Sequence, residues 1–296
     1  MEWRRHIARY GKGWFPGEPW VKRTFLLLFA LAAVLRFWNL PGLPFTHDEL
    51  SALMRIYPTL GETIQRGVIE LDTHPPGVQV LEWAWTKVFG TSETAVKFPF
   101  ILLALLALFH LFRFSLAWTS AGTALISTAL LATLQYTVLY AQIARPYAVG
   151  FFTIALLADS ITRYLAFDRR KDLVWIGMAA VLSAYTHHFS LLLAGIMVVS
   201  VFPLLAREQR KPYLLLCLSA ALLYTPNLAI FAKQFALGGL GNWLPPPDLA
   251  WLPEYLRWIL HFSPVLYVVV GVGFLVGLAF ALKYRHTPTL FLLSTR

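Results

Sequence analysis

Phe100-Ile101-Leu102-Leu103-Ala104-Leu105-Leu106-Ala107-Leu108-Phe109 is ten apolar residues in a row, at the centre of a greasy run over about 95–117. A run of that length matches the roughly 20 residues that cross the hydrocarbon of a bilayer. Further apolar runs lie at about 24–38, 119–139, 147–165, 172–187, 189–206, 212–231 and 264–284. Those at 172–187 and 189–206 are short and nearly continuous, which suits tilted or half-buried helices. The composition agrees: 58% of the 296 residues are hydrophobic, 14% are charged and the mean hydropathy is +0.61. In water such a chain would carry more apolar surface than one core can hide. The sequence predicts an all-α polytopic membrane protein with about eight transmembrane helices.

Charge decides the orientation. Residues 1–23 form a basic leader with Arg4, Arg5, Arg9, Lys12, Lys22 and Arg23, and the rest of the chain, 24–296, reads as one transmembrane domain. Ala30-Leu31-Ala32 resembles a signal-peptidase site, but the long basic leader and the belt Arg36, Phe37, Trp38 favour an uncleaved anchor with a snorkelling arginine. With the N-terminus in the cytoplasm and spans alternating, 17 of the 25 lysines and arginines fall inside and 8 outside. That satisfies the positive-inside rule, so the net charge of +10 points to cytoplasmic loops in the plasma (inner) membrane and not to nucleic acid. Two stretches then lie outside, 39–94 and 233–262. Within the first, Gly77 to Phe89 is amphipathic and Trp-rich, like a helix lying in the interface. Cys217 sits in an apolar run and reads as a small buried hydrophobe.

The same orientation gathers unusual polar residues on the outer face. Phe45-Thr46-His47-Asp48-Glu49 follows the first span, and Thr73-His74-Pro75-Pro76-Gly77 answers it some twenty-five residues on. Thr46 and Glu49 have the spacing of a capping box, so these carboxylates start a short helix on one reading. On the other, Asp48 takes the proton of an attacking hydroxyl, helped by desolvation near hydrocarbon. Glu49 then orients the acceptor or binds a divalent metal; His47, Asp48, Glu49 and His74 are the donors such an ion would use, and metal dependence stays open. His74 is either part of a rigid Pro-Pro corner or a donor to phosphate. Arg145, before Pro146, is either a headgroup-seeking arginine or a phosphate clamp beside a helix N-terminus. His187 and His188 interrupt an apolar run at the same depth. Asp159, four residues before Arg163, reads as a structural ion pair. Gly238-Gly239-Leu240-Gly241-Asn242-Trp243-Leu244-Pro245-Pro246-Pro247 is either a lid or a spacer.

The order of these segments resembles the GT-C membrane glycosyltransferases. A carboxylate pair after the first span, His74-Pro75-Pro76 before an interfacial helix and Ser92-Glu93-Thr94-Ala95-Val96-Lys97-Phe98-Pro99 entering the second span carry the resemblance. So do Ala144-Arg145-Pro146-Tyr147 and Thr186-His187-His188-Phe189. It is nearest to the protein O-mannosyltransferase and aminoarabinose-transferase-like group, with its lipopolysaccharide galacturonosyltransferase-like members, and covers about residues 24–262. The resemblance implies an inverting enzyme that moves a sugar from a polyprenyl-phosphate carrier to an envelope lipid, glycan or protein. Asp48 is then the base, and Arg145 with His187 or His188 holds the departing phosphate. His74, Lys97 and Tyr147 assist substrate binding, and Glu49 serves the acceptor or a metal. No nucleotide-sugar site or other cofactor is implied. Two departures stand out: Lys97 occupies a place where relatives usually have arginine, and relatives are generally longer, so the chain reads as truncated near Thr289–Leu293.

Two other classes compete. A transporter or flippase calls for polar groups near the midplane and for internal repeats. A non-catalytic scaffold or degenerate relative calls for no site at all.

Overall fold

A computed structural model describes Ile7 and residues 18–236 and 248–283. Among them every element is helical. Among the described residues four helices are long and apolar enough to cross a membrane, or six if each of two bent pairs is one span, short of the eight expected. The 172–187 run becomes a 17-residue helix that starts on charged residues, and the 189–206 run is likewise too short to qualify.

The first span, α1 (Pro19–Phe37), starts on a proline whose fixed φ suits the first helical turn. The short α2 (His47–Leu53) begins on a capping box: Thr46 Oγ1 accepts from Glu49 N, and Glu49 Oε2 accepts from Thr46 N at 2.8 Å. A π-helical stretch (Thr63–Glu70) leads to α3 (Gly77–Phe89), which has the bounds read from the sequence. α4 (Glu93–Trp118) is capped by Ser92 and holds the ten-residue apolar run. α5 (Ala121–Thr133) and α6 (Gln135–Ala141) form one of the bent pairs, at 62°.

α7 (Pro146–Phe167) is the central helix, with 72% of its apolar window buried. It packs on α4 and on α8 (Arg170–Thr186), and α9 (His188–Val201) and α10 (Arg207–Tyr224) complete that layer. Leu157, Ile161, Tyr164, Ile176 and Tyr213 are the centre of its core, and Cys217 packs partly buried against it. α9 approaches α7 closely at Gly150, where a Cβ would stand 2.6 Å from Ser190 Oγ and oblige that hydroxyl to turn aside. The stretch Arg207–Ala236, which ends in α11 (Leu228–Ala236), has only 6% of its window buried and shows leucines outward. In a bilayer that face meets lipid. The other bent pair, α12 (Trp251–Ile259) and α13 (Pro264–Lys283), turns by 107°; α12 carries Trp258, which packs edge-on against Tyr136.

Two buried polar features bear on the sequence reading, the first as a correction and the second in its favour. Arg36 does not snorkel: it is 2% exposed and donates to Ala32 O, Leu131 O and Ala132 O. The last two are carbonyls at the C-terminal end of α5, where a cation suits the helix dipole. Asp159 does pair with Arg163 at 3.8 Å, but its nearer partners are His110 at 2.8 Å and Arg113 at 3.1 Å. Arg163 also meets Asp172 at 3.1 Å. A buried ionic network thus ties α4, α7 and α8 together. The Gly238–Pro247 loop and the 284–296 tail lie outside the described residues, as does most of the basic leader.

Candidate active site

The break between α8 and α9, the start of α7 and the two loops before α3 meet at one end of the bundle. Glu49 makes the join: its Oε1 accepts from Ala144 N at 2.8 Å. Asp48, the residue before Glu49, and Arg145, the residue after Ala144, are thereby brought to the same end. Tyr147 lies within electrostatic reach of both.

Glu49 and Lys97 hold this arrangement and face inward. Glu49 is buried between Thr46, Ala144 and the Lys97 ammonium, which is 3.7 Å away. Lys97 Nζ donates to Leu43 O at 3.1 Å and Pro44 O at 2.8 Å. Neither charge is left to meet a ligand, so the acceptor role for Glu49 and the substrate role for Lys97 give way to holding the first loop on α4. An arginine would reach the same two carbonyls with a wider head, and the compact ammonium of Lys97 fits here. Asp48 points the other way: its side chain is 53% exposed, 3.9 Å from a His47 that is almost wholly exposed. The desolvated carboxylate expected from the sequence is not seen. Among the described residues no three His, Cys, Asp or Glu side chains gather as a metal site. The set His47, Asp48, Glu49 and His74 is divided between the surface, the interior and a separate pair with Asp72.

That pair organises the second loop. Asp72 Oδ1 accepts from Thr73 N at 2.7 Å, His74 N at 3.1 Å and His74 Nδ1 at 2.9 Å, and Oδ2 sits 2.7 Å from Arg55. Burial works to raise the Asp72 carboxyl. The His74 bond and the charges of His74, Arg55 and Arg145 overcome it and hold the group down to about 2. A proton on His74 Nδ1, directed at a carboxylate, excludes a real bond from Arg145 Nη2 to that same nitrogen at 3.4 Å. Arg145 is 7% exposed, its Nε has no partner, and among the described residues no carboxylate lies within ion-pair distance of it. A buried guanidinium in that state demands an anion.

The histidine pair closes the ring. His187 ends α8 in extended backbone and caps α9, its Nδ1 accepting from Phe189 N at 3.1 Å. The His187 proton is therefore on Nε2. Burial, then the like charges of His74, His188 and Arg145, push its imidazole down to about 4, so it is neutral at pH 7. Its ring lies 5.2 Å from that of His74. Gly77 lets the loop lie this close, since a Cβ there would stand 2.5 Å from Tyr185 O. His188 Nε2 faces Thr73 O at 3.2 Å and Gln234 Oε1 at 3.1 Å.

Sequence reading missed four members of this cluster. Asp72 had a signal, since Asp-x-His before Pro-Pro is a turn-forming pattern. Glu82 had one too, because it lies on the buried face of α3 with Val78 and Gln79. Its burial pushes the carboxyl up to about 8, Arg145 opposing and Asp72 and Glu49 adding to the shift. Arg55 and Gln234 had none, because their partners come from distant segments.

Beside the cluster is an apolar cavity of about 790 Å³, lined by Thr73, His188, Phe189, Leu192, Phe231 and Phe235 among others. A smaller one of about 340 Å³ lies on the Tyr147 side, among Arg36, Tyr136 and Tyr140. The model of one family, described as dolichyl-phosphate-mannose-protein mannosyltransferase, matches residues 73–230, more than half of the chain. Searches of curated proteins and of solved structures gave no match.

Proposed function

Since the chain belongs to the dolichyl-phosphate-mannose-protein mannosyltransferase family, and is thereby a membrane glycosyltransferase using a lipid-linked sugar, we propose that it performs inverting transfer at the end of the bundle that carries Asp48 and Arg145. The observation that carries this reading is the buried Arg145 guanidinium, with no carboxylate in ion-pair distance among the described residues, flanked by His74 and His187 and adjoining a large apolar cavity. That combination suits a ligand with an anionic head and a greasy tail, and a polyprenyl-phosphate sugar is such a ligand.

In this reading the isoprenoid lies in the cavity of about 790 Å³ and its phosphate sits against Arg145 and His187 Nε2–H. The acceptor enters from the Tyr147 side, where Asp48 is exposed enough to meet it. Asp48 takes the proton of the acceptor hydroxyl, and that oxygen attacks the anomeric carbon. The bond from this carbon to the phosphate oxygen breaks, its electron pair leaves with the phosphate, and configuration inverts. Arg145 and the imidazoles stabilise the charge that develops on the departing oxygen. Neutral His187 serves well here, because it donates without repelling Arg145. The acceptor is an envelope lipid, glycan or protein, and the reaction face is the outer one, where the excess of arginine and lysine on the other loops leaves this end.

The test is transfer from radiolabelled polyprenyl-phosphate sugars by the purified protein in vesicles. Asp48→Asn should abolish transfer while carrier binding persists. Unchanged transfer by Asp48→Asn, in a wild type that is active, would overturn the assignment of the base.

A further inference from the structure

Gln234 joins two parts of the candidate site that come from distant segments. Its Nε2 donates to His74 O at 2.7 Å and to Asp72 O at 3.3 Å, and its Oε1 faces His188 Nε2 at 3.1 Å. Two main-chain carbonyls on one side fix the amide orientation: turned over, its oxygen would face both of them. The oxygen therefore faces His188 and requires the hydrogen on Nε2. Thr73 O makes the same demand on that hydrogen. One amide thus grips the loop carrying Asp72 and His74 and the first residue of α9. Gln234 is buried and comes from a helix 160 residues downstream of His74.

The same helix builds the wall of the cavity. Phe231, Gln234 and Phe235 share one face of α11, at i, i+3 and i+4. Phe231 packs edge-on to His188 at 5.4 Å, and Phe231 and Phe235 stack at 5.9 Å. Displacement of this wall must move the amide, because both belong to one helix of nine residues. The cavity and the loop bearing His74 are therefore mechanically joined through Gln234.

We propose that Gln234 is a positioning residue that couples occupancy of the cavity by the carrier's isoprenoid chain to the placement of His74 for catalysis. This deepens the reading of the site given above and rests on it. A chain long enough to fill the cavity presses on Phe231 and Phe235, seats α11 and aligns the loop. A short chain leaves the wall unsupported. The enzyme then discriminates between carriers in kcat as well as in KM.

The experiment measures kcat and KM of the full chain in nanodiscs, with one sugar carried on a long and on a two-unit isoprenoid phosphate. Wild type should lose kcat with the short carrier as well as gain KM. Gln234→Leu should lower kcat with the long carrier about ten- to hundredfold, as small misplacements of catalytic groups do. It should also bring the long-to-short kcat ratio close to one. Gln234→Glu, nearly isosteric, keeps the acceptor for His188 but loses both donors, and should do the same if the leucine variant fails to fold. Equilibrium binding of the long carrier is followed in parallel. A wild type that neither binds nor uses the carrier overturns the functional reading and this inference with it. A wild type that is active, beside variants with an unchanged kcat ratio, overturns the coupling alone.

Discussion

Glu82 is 2% exposed, its Oε2 has no partner, and burial holds its carboxyl protonated up to about pH 8 instead of 4.5. Because α3, at 13 residues, is too short to cross a membrane, the unfolded reference for this group is taken as aqueous. At pH 4 both states keep the proton and no stability is lost. Above 4.5 the unfolded chain releases it while the folded chain does not, so stability falls as pH rises until about 8. At 1.36 kcal/mol per pH unit, the interval from 4.5 to 7 amounts to about 3 kcal/mol. Glu82→Gln keeps the shape and the donor of the protonated acid but cannot ionise. The variant should match wild type near pH 4.5 and melt roughly 6–12 °C higher at pH 7, by the usual conversion for a protein of this size. The assay is thermal unfolding in nanodiscs from pH 4.5 to 8.5, read by intrinsic tryptophan fluorescence. Parallel pH profiles for the two proteins would refute the claim that Glu82 is buried as a neutral acid.

Three further outcomes follow from the geometry. Asp159→Asn leaves Arg113, Arg163 and His110 facing a neutral amide, and should lower stability by about 3–5 kcal/mol in a melting experiment. Asp72→Asn frees His74 and Arg55 and removes the group held at about 2. Carrier affinity should drop about ten- to hundredfold, and the loss of wild-type stability between pH 3.8 and 2 should vanish from acid titrations of the variant. His187→Gln supplies an amide donor where Nε2–H stood, so it should retain more carrier binding than His187→Ala in the same assay.

Apolar runs were readable because hydrophobicity is a local property. α3 has the bounds read for it, and α4 and α7 agree to within a turn at each end. The span count was less readable: the runs at 172–187 and 189–206 read as short yet count as spans, and nothing in the 119–139 run displays the 62° bend between α5 and α6. Within the site, His74, Arg145, His187 and His188 stood out as polar groups in greasy surroundings, and they do converge. Glu49 and Lys97 stood out for the same reason, yet each is answered by the other and by main-chain partners inside the first loop. A sequence displays a charge without displaying its counterpart. Gln234 fails from the opposite side: as an ordinary residue in an apolar helix it gains its meaning from carbonyls at Asp72 and His74.

The central claim is that Arg145, which has no carboxylate in ion-pair distance among the described residues, is kept for pairing with a lipid phosphate. Equilibrium binding of a long polyprenyl phosphate to wild type, Arg145→Lys and Arg145→Ala tests this most directly. Removing one side of a buried charge pair costs about 2–5 kcal/mol, so Arg145→Ala should bind about thirtyfold more weakly or worse. Arg145→Lys should fall between, retaining charge without the planar fork. Wild-type affinity in a folded Arg145→Ala protein would contradict the account.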